Sequence, residues 1–348
     1  MKKTFLILFI LLPALVLSSI IILPDKAVSQ QENRSLMTKS TISKTLENSR
    51  FQNDFETYLS DQFPFKDELV FCQTKLKLLC NQKDISGAYI CKNGRLIQKI
   101  IPSDINEKSI VSYAEKINDI AKENKVFVFY VPSAEITLNN LLPGGAPTYD
   151  WNSLFEKLSS HLENASVINS EKALENEKFY YKTDHHWNAY GAYKAYEEFC
   201  DAKGVEASPL EDFSLKSVSK DFKGTLHSKV PAINSADEIL LPEVQDLKVT
   251  ADGKEIDFYD MSALETKDKY NVFQGGNHGI VEIENKDAKS DKTLLILKDS
   301  FANSFAAYIS GDYKKIIMLD ERYTFISLKE YVKMIKPDEI LVLREIIN

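Results

Sequence analysis

The 348-residue sequence is poor in histidine and cysteine, with five histidines and four cysteines in the whole chain. No cysteine pair has the spacing of a zinc finger, and no two histidines show the helical spacing common in zinc enzymes. The sequence also lacks a basic patch, since its net charge is −8 and its charges of both signs are interspersed. A nucleic-acid partner is therefore not expected. Internal repeats and low-complexity segments are absent as well, which excludes a solenoid.

The cysteines give no disulfide framework. Cys72 and Cys80 are too far apart on a predicted straight helix to bond to each other. Pairing of Cys80 with Cys91 is an alternative that the sequence allows, whereas Cys200 has the surroundings of a buried apolar residue. We expect free, buried thiols.

The first thirty residues carry an uncharged apolar run. Lys2 and Lys3 precede residues 4–23, a segment close to the ~20 residues that a bilayer-spanning helix requires. Lysines in the short segment before the apolar run predict that the N-terminus lies in the cytoplasm and that the rest of the chain is exported. A cleaved signal peptide, with residues 27–29 as a weak cleavage site, is the alternative. The run is longer than a signal-peptide core of about 7–15 residues, which favours an uncleaved anchor in the cell membrane.

We divide the chain into an anchor or signal at residues 1–24, a linker at 25–44 and one catalytic domain at 45–348. Strands and helices alternate along the domain, as in a parallel sheet with helices on both faces. The apolar, β-branched and aromatic run at 126–131 is typical of a strand buried on both faces. Residues 205–290 break this alternation and predict a β-rich insertion. The predicted fold class is α/β.

Asp184, His186 and Ser300 are the candidate catalytic residues. Side chains at i and i+2 of an extended segment share a face, so Asp184 can orient His186 while His185 points away. An aspartate on one ring nitrogen makes the other nitrogen a usable base. Ser300 follows an apolar run at a predicted strand-to-helix turn. A serine there is presented at the carboxyl edge of the sheet, where ligands bind.

Other interpretations of these residues remain open. Ser300 fits equally a helix N-cap. Asp184, His185, His186 and His278 offer carboxylate and imidazole ligands, so a metal site is an alternative. Our main hypothesis requires no metal and no cofactor.

Five further residues are candidates for substrate or oxyanion contacts. Gly276 and Asn277 can supply a backbone N–H and an amide donor, or form a plain turn. Arg322 can bind an anionic substrate or lie in solvent. Trp187 can pack in the core or support a sugar ring, and His185 adjoins the proposed base.

Several of these segments resemble those of the DHHW-motif proteins, which are related to the AlgX/AlgJ-type alginate O-acetyltransferases and to the SGNH-hydrolase superfamily. The four-residue element at 184–187 with the distant segment 299–301 is the specific part. Weaker similarities extend over most of the chain, at residues 32–34, 61–64, 191–193 and 275–278.

The resemblance implies an SGNH-like fold, with Ser300 as nucleophile, His186 as base and Asp184 as the orienting group. It also implies a polysaccharide hydroxyl as acyl acceptor, and a multi-pass membrane acyltransferase as partner. Two features depart from the SGNH pattern: Lys298 stands where many members have glycine, and the aspartate and histidine precede the serine. That order indicates a circular permutation.

The sequence thus predicts an extracytoplasmic, serine-dependent O-acetyltransferase or acetylesterase that acts on a cell-surface or secreted polysaccharide. A non-catalytic polysaccharide-binding or assembly subunit of an acetylation machinery is the alternative from another class, and a metal-dependent deacetylase is the third hypothesis.

Overall fold

The computed structural model describes residues 2–29, 31–32, 34–42, 50–244 and 246–346, without the side chains of residues 2–8 and 12. The chain divides into two compact units. One consists of Met1–Ile85 with Ser228–Ile233, and the other of Ser86–His227 with Asn234–Asn348.

The first unit contains helices and short strands. Its elements are α1 (Lys2–Ile22), β1 (Val28–Ser29), β2 (Arg34–Ser35), α2 (Arg50–Asp61), α3 (Lys66–Leu79) and β3 (Asp84–Ile85). Pro64 lies between α2 and α3. A proline inside a helix removes a backbone hydrogen bond, so the helix is interrupted at this point. Within the described part of the chain, no helix is long and apolar enough to cross a membrane. The predicted span at residues 4–23 falls partly on side chains outside the described part.

The cysteines are free thiols, as expected, but they are not all buried. Cys200 is buried and Cys91 is partly buried, whereas Cys72 and Cys80 are exposed. The expectation of buried thiols is wrong for the latter two.

The second unit holds most of the regular structure. Its helices are α4 (Glu107–Ala121), α5 (Ala134–Thr137), α6 (Trp151–His161), α7 (Ala189–Lys203), α8 (Thr225–Lys229), α9 (Phe301–Ile309) and α10 (Leu328–Ile335). Its strands are β4 (Ala88–Ile90), β5 (Leu96–Gln98), β6 (Val126–Val131), β7 (Ala165–Ile168), β8 (Lys216–Phe222), β9 (Asp237–Leu241), β10 (Leu247–Ala251), β11 (Lys254–Ile256), β12 (Ile280–Asn285), β13 (Thr293–Lys298), β14 (Lys315–Leu319) and β15 (Glu339–Glu345). The 3₁₀ turns are Lys92–Gly94, Pro102–Asp104, Asn139–Leu141, Glu177–Phe179, Leu210–Phe213, Met261–Glu265 and Lys269–Val272.

A central eight-stranded sheet has the order β11-β10-β12-β14-β13-β15-β6-β7. The five strands from β14 to β7 are parallel to one another. Strands β12, β10 and β11 extend the sheet in antiparallel fashion beside β14. The fold is therefore mixed α/β with a mostly parallel sheet. Residues 205–290 supply this antiparallel extension and a separate antiparallel pair, β8 with β9.

Helices cover both faces of the sheet, as the alternation of elements predicted. Alternate residues of β6 and β13, such as Phe129 and Ile296, pack with α7 and α9 on one face. Their neighbours, such as Val128 and Leu297, pack with α4, α6 and α10 on the other. Burial on both faces explains the continuous apolar runs of these strands.

Strand β13 lies between β14 and β15, inside the parallel part of the sheet. Its carboxyl end therefore opens at the edge where α/β proteins bind ligands. Ser300 follows that end directly.

Candidate active site

The turn between β13 and α9 fixes Ser300. The carboxylate of Asp299 accepts hydrogen bonds from the backbone N–H of Phe301, at 2.9 Å, and of Glu345, at 2.8 Å. These bonds tie the turn to β15. Ser300 has helical dihedral angles (φ −67°, ψ −16°), and its side chain does not cap the helix. The N-cap interpretation is therefore wrong, and the partly exposed hydroxyl has another partner.

That partner is His186. The distance between His186 Nε2 and Ser300 Oγ is 2.7 Å, and the distance between His186 Nδ1 and Asp184 Oδ1 is 2.6 Å. A carboxylate only accepts hydrogen bonds, so the Nδ1 proton points at Asp184. Nε2 is then the acceptor for the serine hydroxyl. The structure thus places the three residues in one continuous chain of hydrogen bonds.

The local backbone differs from the extended segment that the sequence suggested. Residues 182–186 form bends, and the backbone N–H of His186 also donates to Asp184 Oδ1, at 3.0 Å. This is the hydrogen bond of an Asx turn. His185 does not point away: its ring centroid lies 3.9 Å from that of His186, and its Nδ1 lies 2.9 Å from Thr225 Oγ1.

Thr225 and Gly224 complete the setting of Asp184. The backbone N–H and hydroxyl of Thr225 donate to Asp184 Oδ2, at 2.8 and 3.0 Å. Gly224 leaves room for the carboxylate, since a Cβ at that position would overlap it. Burial acts to raise the pKa of Asp184, but the charges of His186 and His185 and the hydrogen bonds outweigh it. Its pKa lies well below the usual value, and the group is ionised.

Aromatic side chains enclose the imidazole. The Tyr270 ring stacks on His186 with centroids 4.0 Å apart and planes inclined by 7°. The Tyr270 hydroxyl donates to the Ser300 carbonyl, at 3.2 Å. Trp187 has no exposed surface, and its Nε1–H donates to Ser304 Oγ, at 2.9 Å. Trp187 therefore holds the start of α9, and it is not the floor of a sugar site.

A buried lysine organises the side-chain amides of Asn303 and Asn277. The Lys298 ammonium donates to Asn303 Oδ1, at 2.5 Å, and lies 3.4 Å from Asn277 Oδ1. Asn303 Nδ2 also donates to Asn277 Oδ1, at 3.2 Å. Asn277 is exposed, and its amide oxygen accepts from both groups, while its NH₂ group has no hydrogen-bond partner in the described part of the chain. Burial lowers the pKa of Lys298 to about 8.

Two other candidate residues are occupied elsewhere. The Gly276 N–H donates to the Phe273 carbonyl within a turn, so it is not available to an oxyanion. Gly276 has φ +107°, and a Cβ there would press on Asn271. Arg322 binds Asp320 through two hydrogen bonds, of 2.9 and 2.7 Å, and lines a separate cavity.

Sequence reasoning did not assign roles to Gly224, Thr225, Tyr270 and Asn303. Gly224 and Thr225 stand in a glycine-containing stretch of the predicted β-rich insertion, and no other local pattern distinguishes them. Lys298 departs from the SGNH glycine in the sequence, but its contact with Asn277 depends on a residue in a distant segment of the chain.

The metal interpretation keeps some geometric support. Ligand atoms of Asp184, His185 and His186 lie within 4.8 Å of one another. His278 does not join them: its Nε2 lies 2.9 Å from the Gln274 carbonyl and its Nδ1 3.2 Å from Asp252. Both nitrogens of His186 are already engaged by Asp184 and Ser300.

The fold and this arrangement define a mixed α/β protein with serine, histidine and aspartate in contact at a sheet edge. Residues 152–319 match the family model described as DHHW protein. This match confirms the resemblance to DHHW-motif proteins over that part of the chain. No curated protein matches the sequence.

Two of the following solved structures, with TM-scores of 0.60 and above, share this fold, and the third is a weaker match. A DHHW family protein from Eubacterium siraeum DSM 15702 is 23% identical, with a TM-score of 0.60 over 73% of this chain and 91% of that one. Bacillus cereus PatB1, solved with a sulfonyl adduct, is 18% identical, with a TM-score of 0.62 over 74% and 93%. The O-acetyltransferase domain of Pseudomonas putida AlgJ is 12% identical, with a TM-score of 0.47 over 75% and 91%.

Proposed function

We propose that the protein is a serine-dependent O-acetyltransferase or acetylesterase with Ser300, His186 and Asp184 as its catalytic residues. The observation that supports this most strongly is the unbroken chain from Asp184 Oδ1 through both nitrogens of His186 to Ser300 Oγ. A nucleophile, a base and an orienting carboxylate within hydrogen-bond reach are the requirements of acyl transfer.

The proposed reaction has two half-steps. The Ser300 hydroxyl gives its proton to His186 Nε2 while Oγ attacks the carbonyl carbon of an acetyl ester. The tetrahedral intermediate expels the donor alcohol, which takes the proton from His186 and leaves an acetyl-Ser300 ester. An acceptor hydroxyl, from a sugar or from water, then gives its proton to His186 and attacks that ester. Expulsion of Ser300 Oγ, reprotonated by His186, restores the enzyme.

Two donors are suited to the oxyanion of the intermediate. The Ser300 backbone N–H stands at the start of α9, where the helix dipole favours negative charge. Asn277 supplies its NH₂ group, which has no partner among the described residues, while its oxygen is held by Lys298 and Asn303. Such preorganised donors contribute roughly 3–4 kcal/mol to catalysis in other acyl-transfer enzymes.

The proposal includes a polysaccharide substrate and a location outside the cytoplasm. The apolar N-terminal segment favours a single-pass membrane anchor with the bulk of the protein outside the cytoplasm. The resemblance to alginate O-acetyltransferases favours a polysaccharide acceptor, a membrane-bound acyltransferase partner and a circularly permuted SGNH-like core. Whether sugar excludes water from the site decides between transfer and hydrolysis.

The test uses the full chain, purified in detergent, with p-nitrophenyl acetate as acetyl donor. Ser300→Ala should lower turnover by roughly 10³-fold or more, because a triad acts as a unit. Ser160→Ala, at an exposed serine of α6, is the matched control. Wild-type turnover in Ser300→Ala would refute the proposed nucleophile.

A sulfonyl fluoride gives a readout that does not depend on turnover. Its sulfur should bond to Ser300 Oγ with loss of fluoride, and mass spectrometry should find the adduct on the wild type and on Ser160→Ala alone. An unlabelled and inactive wild type would favour the non-catalytic subunit. If a chelator abolishes turnover and Ser300→Ala does not, the metal-dependent deacetylase is favoured. The clustered ligand atoms of residues 184–186 support that alternative.

A further inference from the structure

A second cavity lies on the face of the sheet opposite His186. It has a volume of about 330 Å³, and its walls come from the start of α4, from β6, from the segment after β14 and from β15. Tyr130 and Ile346 in its lining belong to the core of that face, whereas Trp187 belongs to the core of the other. The carboxyl ends of β6, β14 and β15 meet here, which is where α/β sheets bind ligands.

The cavity contains a cation without an ion-pair partner. Arg344 has no carboxylate within ion-pair distance among the described residues, although it is only partly exposed. Its guanidinium carbon lies 4.5 Å from the centroid of the Tyr113 ring. Arginine stacked on an aromatic ring keeps its hydrogen-bonding edge available to a ligand. Tyr113 thus orients the guanidinium, and the charge of Asp299 acts on it from beyond ion-pair distance.

The other charged groups of the cavity are paired. Arg322 is held by two hydrogen bonds from its guanidinium to Asp320, and Lys116 forms an ion pair with Glu321. Arg344 therefore brings to the cavity a positive charge that no carboxylate within ion-pair distance offsets in the described part of the chain. This charge suits a monoanion better than a phosphate dianion, which would also meet Glu321.

A buried hydroxyl adds a second ligand-directed feature. Tyr130 is 2% exposed, and its Oη has no hydrogen-bond partner in the described structure. Burial raises the pKa of Tyr130 to about 12, so the phenol stays protonated and can donate. A buried donor left without an acceptor destabilises the folded protein. A ligand oxygen in the cavity would remove this penalty.

We propose that this cavity binds a carboxylate-bearing ligand, with Arg344 and Tyr130 as donors to the carboxylate. The guanidinium presents two parallel N–H groups, which match the two oxygens of a carboxylate. Ile110 and Ile346 provide apolar walls for the rest of the ligand. This site is separate from Ser300 and does not rest on the proposed function.

The test measures binding by isothermal titration to the full chain in detergent. The probes are acetate, benzoate and D-glucuronate, with acetamide, benzamide and D-glucose as their neutral counterparts. At least one carboxylate should bind ten times or more tighter than its counterpart. A panel in which no carboxylate exceeds its neutral partner would overturn the proposal.

Variants locate the binding. Arg344→Gln should abolish the preference for the carboxylate, while Lys220→Gln, which removes one exposed positive charge elsewhere, should keep it. Ser300→Ala should bind as the wild type does. Equal binding by Arg344→Gln and the wild type would refute the assignment.

Tyr130→Phe keeps the test decisive if Arg344→Gln does not fold. It removes only an unpartnered hydroxyl, so the melting temperature should stay unchanged or rise, while affinity for the carboxylate falls several-fold. A lower melting temperature with unchanged affinity would show that the hydroxyl is structural and would overturn its role.

The carboxylate can belong to a free small molecule or to a sugar chain. Comparison of D-glucuronate with an oligosaccharide that contains it distinguishes the two sources. Equal affinities indicate a small-molecule site, and tighter binding of the oligosaccharide indicates a site for a carboxylated chain.

Discussion

Replacement of Asp184 by asparagine exchanges one carboxylate oxygen of the proposed triad for an NH₂ group. That group cannot accept the hydrogen bonds that the oxygen accepts. Asp184 Oδ1 accepts from the backbone N–H and from Nδ1 of His186, and Oδ2 accepts from the N–H and hydroxyl of Thr225. An asparagine NH₂ group in either orientation faces two donors. With the NH₂ group toward His186, the Nδ1 proton is displaced and the ring adopts the other tautomer. Nε2 then carries the proton and cannot accept one from Ser300.

We therefore expect Asp184→Asn to lower kcat by about 10⁴-fold, which corresponds to roughly 5–6 kcal/mol of transition-state stabilisation. KM should change little, because no proposed substrate contact is lost. Steady-state hydrolysis of p-nitrophenyl acetate measures both constants. Asp201→Asn, at an exposed position of α7, is the matched control.

The same variant changes the dependence of stability on pH. The pKa of Asp184 in the folded protein lies below its usual value of 3.8, because the histidines and hydrogen bonds outweigh burial. A lowered pKa stabilises the fold above that value, and this stabilisation is lost as the pH falls below it. Asp184→Asn should lack this part of the acid destabilisation in denaturant titrations. Full activity of Asp184→Asn would refute the reasoning about tautomer and base.

Three further substitutions test the surroundings of the triad. Lys298→Met removes a buried ammonium whose pKa is lowered by burial to about 8, whereas the pKa of the unfolded lysine is the usual 10.5. Between these values the unfolded state binds more protons, so the unfolding free energy of the wild type should rise by about 3 kcal/mol as the pH rises from 8 to 10.5. Denaturant titrations of the variant should lack this rise. Gly224→Ala should lower kcat by about 10²-fold because the added Cβ displaces the Asp184 carboxylate, whereas Gly311→Ala, with no atom within 4 Å of its Cβ, should leave kcat unchanged. Tyr270→Phe keeps the ring stack but loses the hydrogen bond to the Ser300 carbonyl, so unfolding free energy should fall by about 1 kcal/mol in chemical denaturation; an unchanged value would show that this bond contributes nothing.

The sequence predicted the regular elements of the second unit well. The strand at Val126–Val131 has the expected position, and helices cover both faces of the sheet as the alternation of elements predicted. Apolar periodicity and buried β-branched runs are local signals, so they can be recognised without knowledge of the neighbouring strands. The antiparallel extension by β12, β10 and β11 carries no such signal, because strand order depends on long-range pairing.

The candidate substrate residues show the limit of the same reasoning. Trp187 was compatible with a sugar site or with the core, and only packing against α9 decided for the core. Arg322 was compatible with an anion site or with solvent; its hydrogen bonds with Asp320 hold it in the lining of the second cavity. Gly276 has the positive φ of a turn, and the turn itself uses its N–H.

The sequence by itself determined the pair of Asp184 and His186, because the two residues are close neighbours and a short turn brings their side chains together. The tertiary structure alone decided that Ser300, 114 residues further on, reaches the other nitrogen of the ring. It also decided that Thr225 holds the carboxylate and that Lys298 fixes Asn277. These contacts join segments distant in the chain, and their geometry follows from strand order and packing, which no local pattern of residues encodes.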